Sequence, residues 1–424
     1  MADQIHPPGY IKTESKIEGI EIFKPAPPKE AASKDVTFKC PQCGANTAYS
    51  VEDGGLVCAY CGYYEKPDAV VVGKRAEQFE FKVDTLQRLA QGWGEERLDI
   101  SCQSCGAVVS VPPKTISTTC PFCGSNKILQ QQAAQNDIRP RYILPFKIDL
   151  KAVREATQEW LGSSWMTPAE LKHSALLQEF TPIYLPYWTF DSTCAADWKA
   201  EVGHHETERY FDGKKWQTRT KVKWRWESGH FQKIFDDLLI PGTARLSQKH
   251  LVATSGYRLS DISEYDPKYL AGMHAKSYDI QLEDAWETAR KEMRDETKQG
   301  CMHQASTQMI RNFSMALDFS DESWRYTLLP AYISVYRHNN QPFQLIANGQ
   351  TGKVSGQRPV DWQKVWLVIA LCLIPGGLLG ILGLLTLLFG GIGAVIGGIG
   401  FFLLVIGLVI AFIIFQQAQA MDDL

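Results

Sequence analysis

No Asp, Glu, Lys, Arg or His occurs between Val365 and Met421. Ionisable residues inside an apolar segment usually mark ion and proton paths, so their absence argues against a pore or transport route through this stretch. It also argues against a soluble helical hairpin of this length, which needs a polar stripe. At the other end, Met1 to Lys39 is rich in Pro, Lys and Glu and has no apolar run, which rules out a secretory signal. Motifs for chemistry are missing as well. There is no G-x-S-x-G and no G-x-x-x-x-G-K-[ST], and the run His204-His205-Glu206-x-Glu208 lacks the i, i+4 histidine pair of a helical metalloprotease. Gly349-Gln-Thr-Gly-Lys353 resembles a phosphate loop only in part and reads as turns at the end of a strand pair. With a net charge of −3 and a pI of about 6.3, no global field attracts nucleic acid or anionic surfaces. The chain therefore reads as a non-enzyme.

What the carboxyl end does have is length. Val365 to Phe415 is almost continuously apolar or glycine over 51 residues. A hydrocarbon core of about 30 Å takes about 20 helical residues, so two transmembrane helices fit, Val365–Leu388 and Ala394–Phe415, broken at Phe389-Gly-Gly-Ile-Gly393. Trp362, Lys364 and Trp366 at the start suit a headgroup layer. Gly376 with Gly380, and Gly393 with Gly397, would allow close helix approach, and Pro375 should kink the first helix.

Eight of the 11 cysteines fall into two blocks, Cys40-x-x-Cys43 with Cys58-x-x-Cys61 and Cys102-x-x-Cys105 with Cys120-x-x-Cys123, each with 14 residues between its pairs and glycine after every second cysteine. Two glycine-turned knuckles aim four sulfurs at one ion, so each block reads as a zinc ribbon holding a structural Zn²⁺. Four thiolates close the coordination sphere and leave no place for substrate. A disulfide framework suits this chain less well than reduced thiols in a cytoplasmic compartment. Flanking strands are expected at Asn46–Val51, Leu56–Cys58, Ala107–Val111 and Thr115–Thr119. Few cations accompany the cysteines: Lys39 in the first block, Lys114 and Lys127 in the second. Nucleic-acid binding needs about one cation per phosphate contact, so protein docking through aromatics such as Tyr60, Tyr63, Tyr64 and Phe122 is the stronger expectation.

The rest divides by composition. Residues 1–37 form a proline-rich, partly disordered lead-in, 38–66 ribbon one, 67–99 a connector with an amphipathic stretch at Phe79–Leu89, 100–129 ribbon two, and 138–360 a mixed α+β domain behind the glutamine-rich linker Gln130–Asn136. In that domain helices are expected at Ile148–Leu161 (inward Leu150, Val153, Ala156, Trp160), from Thr167, and at Asp284–Arg311 (inward Trp286, Ala289, Met293, Met302). Strands are expected at Pro182–Phe190, Ala196–Val202, Lys214–Trp226, Tyr326–Tyr336 and Phe343–Ala347, with a hairpin at Asp212-Gly213. A faint duplication, helix then Ile183-Tyr-Leu-Pro186 or Leu328-Leu-Pro-Ala331 then paired strands, would make an α+β sandwich, and coincidence explains the pattern about as well. Cys194, Cys301 and Cys372 read as core, surface or lipid-facing thiols.

Leu329-Pro-Ala-Tyr332, then Ala347-Asn-Gly-Gln-Thr-Gly-Lys353-Val-Ser-Gly356 and Pro359, directly ahead of an apolar hairpin, resembles bacterial membrane proteins with amino-terminal zinc ribbons. These are often labelled TFIIB-type zinc ribbon or likened to the primosomal helicase, a label the missing ATP-binding motif does not support. The resemblance implies a cytoplasmic body on the inner membrane and, for some members, association with SPFH-domain and PspA-like envelope-stress proteins. The expectation is a multidomain chain: two small β zinc ribbons, a mixed α+β cytoplasmic domain and a C-terminal two-helix transmembrane hairpin, both termini cytoplasmic. Its expected function is that of an adaptor holding cytoplasmic proteins at the lipid bilayer. Nucleic-acid tethering and an enzyme site hidden within 138–360 are the alternatives.

Overall fold

The computed structural model describes residues 10–13, 22–25, 38–67, 71–72, 79–80, 93, 96–112, 119–132, 138–174, 179–338, 341–386 and 391–422. The strands are β1 (Tyr10–Thr13), β2 (Ile22–Pro25), β3 (Ala48–Ser50), β4 (Gly55–Val57), β5 (Tyr64–Glu65), β6 (Phe79–Glu80), β7 (Leu98–Cys102), β8 (Val108–Val111) and β9 (Ile128–Gln132). They continue with β10 (Tyr142–Ile143), β11 (Thr181–Phe211), β12 (Trp216–Pro241), β13 (Ser263–Glu264), β14 (His274–Lys276), β15 (Ile310–His338), β16 (Gln341–Asn348) and β17 (Val354–Gly356). The α-helices are α1 (Leu150–Gly162), α2 (Ala169–Ser174), α3 (Gln248–Ala253), α4 (Leu282–Gln304), α5 (Trp362–Thr386) and α6 (Gly391–Asp422).

One large sheet organises the body, with its spine in the order β13-β10-β15-β11-β14-β8-β7-β9. The antiparallel pair β11 and β15 forms its centre, and β11 alone runs 31 residues, about 100 Å if straight at about 3.3 Å per residue. Both faces of this centre are buried. Ile183, Leu185, Tyr187, Leu329, Ala331 and Ile333 pack on one side, and Tyr184, Trp188, Phe190, Trp324, Leu328 and Tyr332 on the other. Beyond Val202, among the described residues, β11 pairs with β12 alone, making a two-stranded arm that turns at Asp212 and Gly213. At its tip Phe211 and Trp216 pack together, 55% and 72% exposed.

The expected duplication is real at the level of individual hydrogen bonds. Leu185 pairs with Leu329 across the central strands, so Leu185-Pro186 and Leu329-Pro330 are related by a local pseudo-two-fold. Pro186 O accepts from Gly242 N at 2.8 Å, and Gly242 O accepts from the N–H groups of Asp279 and Ile280 at 2.9 and 3.1 Å. In the other half Pro330 O accepts from Gly349 N at 2.9 Å, and Gly349 O accepts from Lys147 and Ile148 at 2.9 and 3.0 Å. Trp188 Nε1 donates to Ile280 O at 3.0 Å, as Tyr332 Oη donates to Ile148 O at 2.7 Å. The halves exchange strands. β10 adds in parallel to β15 at Thr327–Leu328, and β14 adds in parallel to β11 at Ile183–Tyr184. The expected sandwich is thus replaced by one sheet, because each half completes its partner's edge.

Other expectations shift. Pro182–Phe190 and Ala196–Val202 are one strand, since Asp191 and Ser192 lie in a bulge and do not end it. The long helix stops at Gln304, and β15 begins at Ile310. Its inward stripe is Leu282, Ala285, Trp286, Ala289, Met293, Thr297 and Cys301, with Met302 exposed. In α1 the buried face is Val153, Thr157 and Leu161, with Leu150 exposed; Asp149 caps it, accepting from Ala152 N at 2.7 Å. The glutamine-rich linker begins as strand β9, antiparallel to β7. The lead-in contains the antiparallel pair β1–β2. Most of Phe79–Leu89 and of Thr115–Thr119 lies outside the described residues.

The two apolar helices are each long enough to cross a membrane, and most of their large side chains point outward, among them Leu367, Leu371, Leu378, Phe401 and Phe402. The described helices end at Thr386 and resume at Gly391, and part of the expected break at Phe389–Gly393 lies outside the described residues. The expected glycines Gly376, Gly380, Gly393 and Gly397 all lie in the close-packed seam, which also takes in Gly383, Gly400 and Gly407. A Cβ on Gly376 would lie 2.5 Å from Leu404 N, on Gly383 2.3 Å from Gly397 N, on Gly400 2.4 Å from Gly380 N, and on Gly407 2.5 Å from Cys372 O. Glycines seven apart on each helix keep one face in contact, as in a left-handed coil. The helix bases dock on the body through Met166, Val360, Val365, Ile369, Ala411 and Ala418. Asp361 N donates to Met166 O at 2.8 Å.

Candidate metal centres

All four cysteine knuckles have the same backbone. In each, the N–H of the glycine following the second cysteine donates to the carbonyl of the first: Gly44 to Cys40, Gly62 to Cys58, Gly106 to Cys102 and Gly124 to Cys120, at 2.8–2.9 Å. Those glycines have φ between 69° and 73°, the left-handed region that a Cβ disfavours, and this is why glycine stands there. The N–H of each first cysteine then donates onward, to Ala45, Tyr63, Ala107 and Ser125. The loop closes around its two sulfurs.

The knuckles meet in pairs. Cys40 and Cys61 Sγ are 3.4 Å apart, Cys43 and Cys58 3.6 Å, Cys102 and Cys123 3.6 Å, and Cys105 and Cys120 3.8 Å. Within each set all four sulfurs lie within 4.8 Å of one another. A tetrahedron with bonds of about 2.3 Å has edges of about 3.8 Å, so both sets fit a zinc ion held by four thiolates. Charge gives the same answer. The N–H groups of Cys61 and Tyr60 pull the Cys58 thiol down to about 7. Burial pushes Cys102 up, but the Cys105 and Ser104 N–H groups outweigh it and hold that thiol at about 7 as well. Burial pushes Cys123 up to about 11. One sulfur in each set is ready to ionise, and ionising the rest so close together requires a cation.

The two centres differ in setting. The first ribbon, β3-β4-β5, is a sheet of its own. It docks by one face: Tyr49 N donates to Ala271 O at 2.9 Å, Tyr49 packs on Tyr269, and Lys268 pairs with Glu65 at 2.6 Å. Its knuckle tips face outward, with Cys43 and Cys61 exposed and Tyr60 at 85% exposure. The second ribbon is continuous with the large sheet, β8 pairing with β14. Cys102, Cys120 and Phe122 are buried there against Leu144, Ile183 and Leu329, so Phe122 is core and not the exposed aromatic expected. Arg97 fastens this junction, its buried guanidinium donating to Ser110 O at 2.8 Å and Met273 O at 2.9 Å. Burial, with Arg97 nearby, lowers the His274 pKa to about 4.

One charged cluster was not legible in the sequence. Asp191, Asp236 and Asp237 bring three carboxylates together at the β11–β12 bulge, where Asp237 has φ 61°. Arg325 of β15, 1% exposed, pairs with Asp237 and approaches Asp191 at 3.9 Å. These residues come from distant segments without any motif, and the arginine supplies the compensating charge. His204 lies in the arm, 3.0 Å from Glu227, and the Gly349–Lys353 segment is a hairpin turn in which Asn348 Oδ1 accepts from Gln350 and Thr351 N at 2.8 and 2.9 Å.

Fold and site together define a protein with tandem zinc-ribbon-type centres of four cysteines each, a duplicated large sheet and a C-terminal pair of apolar helices long enough to cross a membrane. The chain is similar to the uncharacterized protein YdjG of Bacillus subtilis (strain 168), 25% identical over 367 residues, which cover 84% of this chain and 99% of that protein. No family model and no solved structure matches it.

Proposed function

We propose that the protein is a non-catalytic adaptor, anchored in the bacterial inner membrane by α5 and α6 with both termini cytoplasmic, that holds cytoplasmic proteins at the bilayer. SPFH-domain and PspA-like proteins are the partners the resemblance suggests. The observation carrying this reading is the contrast between the two metal centres. The second is buried as part of the body, whereas the first is fixed by one face and turns its knuckles, with Tyr60 85% exposed, to the outside. A rigid, metal-braced aromatic patch is a surface that binds without paying to order itself. Confinement to the bilayer raises the local concentration of whatever it captures.

The test is purification of the full chain from detergent-solubilised membranes, comparing wild type with Tyr60→Ser and Cys40→Ser. Loss of an SPFH-domain or PspA-like protein from both variants, with membrane insertion intact, is the expected outcome. Equal recovery of the same protein with all three would reject docking at the first ribbon.

A further inference from the structure

A cavity of about 270 Å³ opens where the body meets the base of the helical pair, lined by Trp160, Lys249, His250, Ser355, Arg358 and Met421 among others. No carboxylate lines it among the described residues, while three basic side chains do. Arg358 is set in place: its Nη1 donates to Trp160 O and Ser163 Oγ, both at 3.0 Å, and its guanidinium stacks 4.3 Å from the Trp160 ring. Among the described residues Nε and Nη2 donate to no protein group, which leaves them for a two-pronged acceptor. His250, 3% exposed, is oriented by a 3.1 Å contact between Nδ1 and Ser355 Oγ. Burial disfavours the Arg358 charge, and an anion in the cavity offsets that cost.

Position narrows the ligand. Phe415 packs against Trp362 and Trp366, 5.8 and 6.0 Å between ring centroids, an aromatic cluster of the kind found at headgroup level. Met421 lies six residues further along α6, about 9 Å at about 1.5 Å per residue. The headgroup layer is about 5–8 Å deep on each side, so the cavity sits at its outer edge.

We propose that this cavity binds a phosphate group, with the phosphodiester of an anionic lipid headgroup as the source its position favours. The inference rests on α5 and α6 crossing the bilayer. It is tested with the full chain in nanodiscs of phosphatidylcholine with or without phosphatidylglycerol, reading the lipid retained by native mass spectrometry. Wild type retains phosphatidylglycerol over phosphatidylcholine, and Arg358→Gln lowers that preference by about tenfold or more. Lys249→Gln, at an exposed position where folding is not at risk, lowers it in the same direction. Binding of glycerol 3-phosphate to wild type in phosphatidylcholine discs, abolished by the same substitutions, keeps the phosphate site and assigns it to a soluble ligand. Normal insertion without anion preference, or preference indifferent to both substitutions, overturns the site alone. A chain that stays soluble instead of entering discs overturns the membrane reading on which the site depends.

Discussion

Eight cysteines of this protein gather in two sets that fit a metal ion, but the eight are not equivalent. Cys40→Ser removes a ligand from a ribbon that touches the body by one face, so zinc per chain should fall from two to one with the body intact. Cys120→Ser removes one from the centre of a core shared with Ile183 and Leu329. Zinc should fall by the same amount, with a distinctly larger drop in melting temperature, measurable by metal analysis alongside calorimetry. His274 gives a test by pH. Its folded pKa of about 4 lies below the unfolded value of about 6.5, so the unfolded chain binds the extra proton first. Stability present above pH 6.5 is therefore lost as pH falls toward 4, by at most about 3 kcal/mol. Chemical denaturation across that window should show a shallower slope in a His274→Gln variant.

Among the elements, the helical pair and the duplicated strands make the sharpest claims. Gly383→Ala puts a methyl 2.3 Å from Gly397 N, whereas at Gly377 nothing lies within 4 Å of the added carbon. The first substitution should separate α5 from α6, seen as a loss of cysteine cross-linking between engineered seam positions, and the second should leave it unchanged. Tyr332→Phe removes the bond to Ile148 O and should cost about 1 kcal/mol in denaturant unfolding, local to the start of α1. Periodicity made α1, α4 and the hairpin at Asp212 legible. In α1 it found Val153 and Trp160, whose ring packs partly buried on Leu171, Tyr336 and Leu345, but it missed Thr157 and Leu161 and put the exposed Leu150 inward. The long strands were cut short for a physical reason. Ile183 to Phe190 is buried on both faces and reads as a continuous apolar run, while the arm beyond Val202 alternates, so one strand carries two patterns.

At the scale of the molecule, removal of residues 362–424 should leave a body that fractionates as soluble and still binds two zinc ions, whereas the intact chain pellets with membranes. Composition and spacing were enough to place both metal sets and the apolar hairpin. A knuckle is a local turn whose ligands are three residues apart, and a membrane helix is recognisable from the absence of charge along about twenty consecutive positions. Tertiary structure alone decided that the second ribbon is part of the main sheet, that the two halves lend each other a strand, and that Arg325 meets Asp237 or Arg358 meets Trp160 beside α6. Those contacts join residues tens to hundreds of positions apart, and they arise from strand register and burial on folding, which leave no local pattern in the chain.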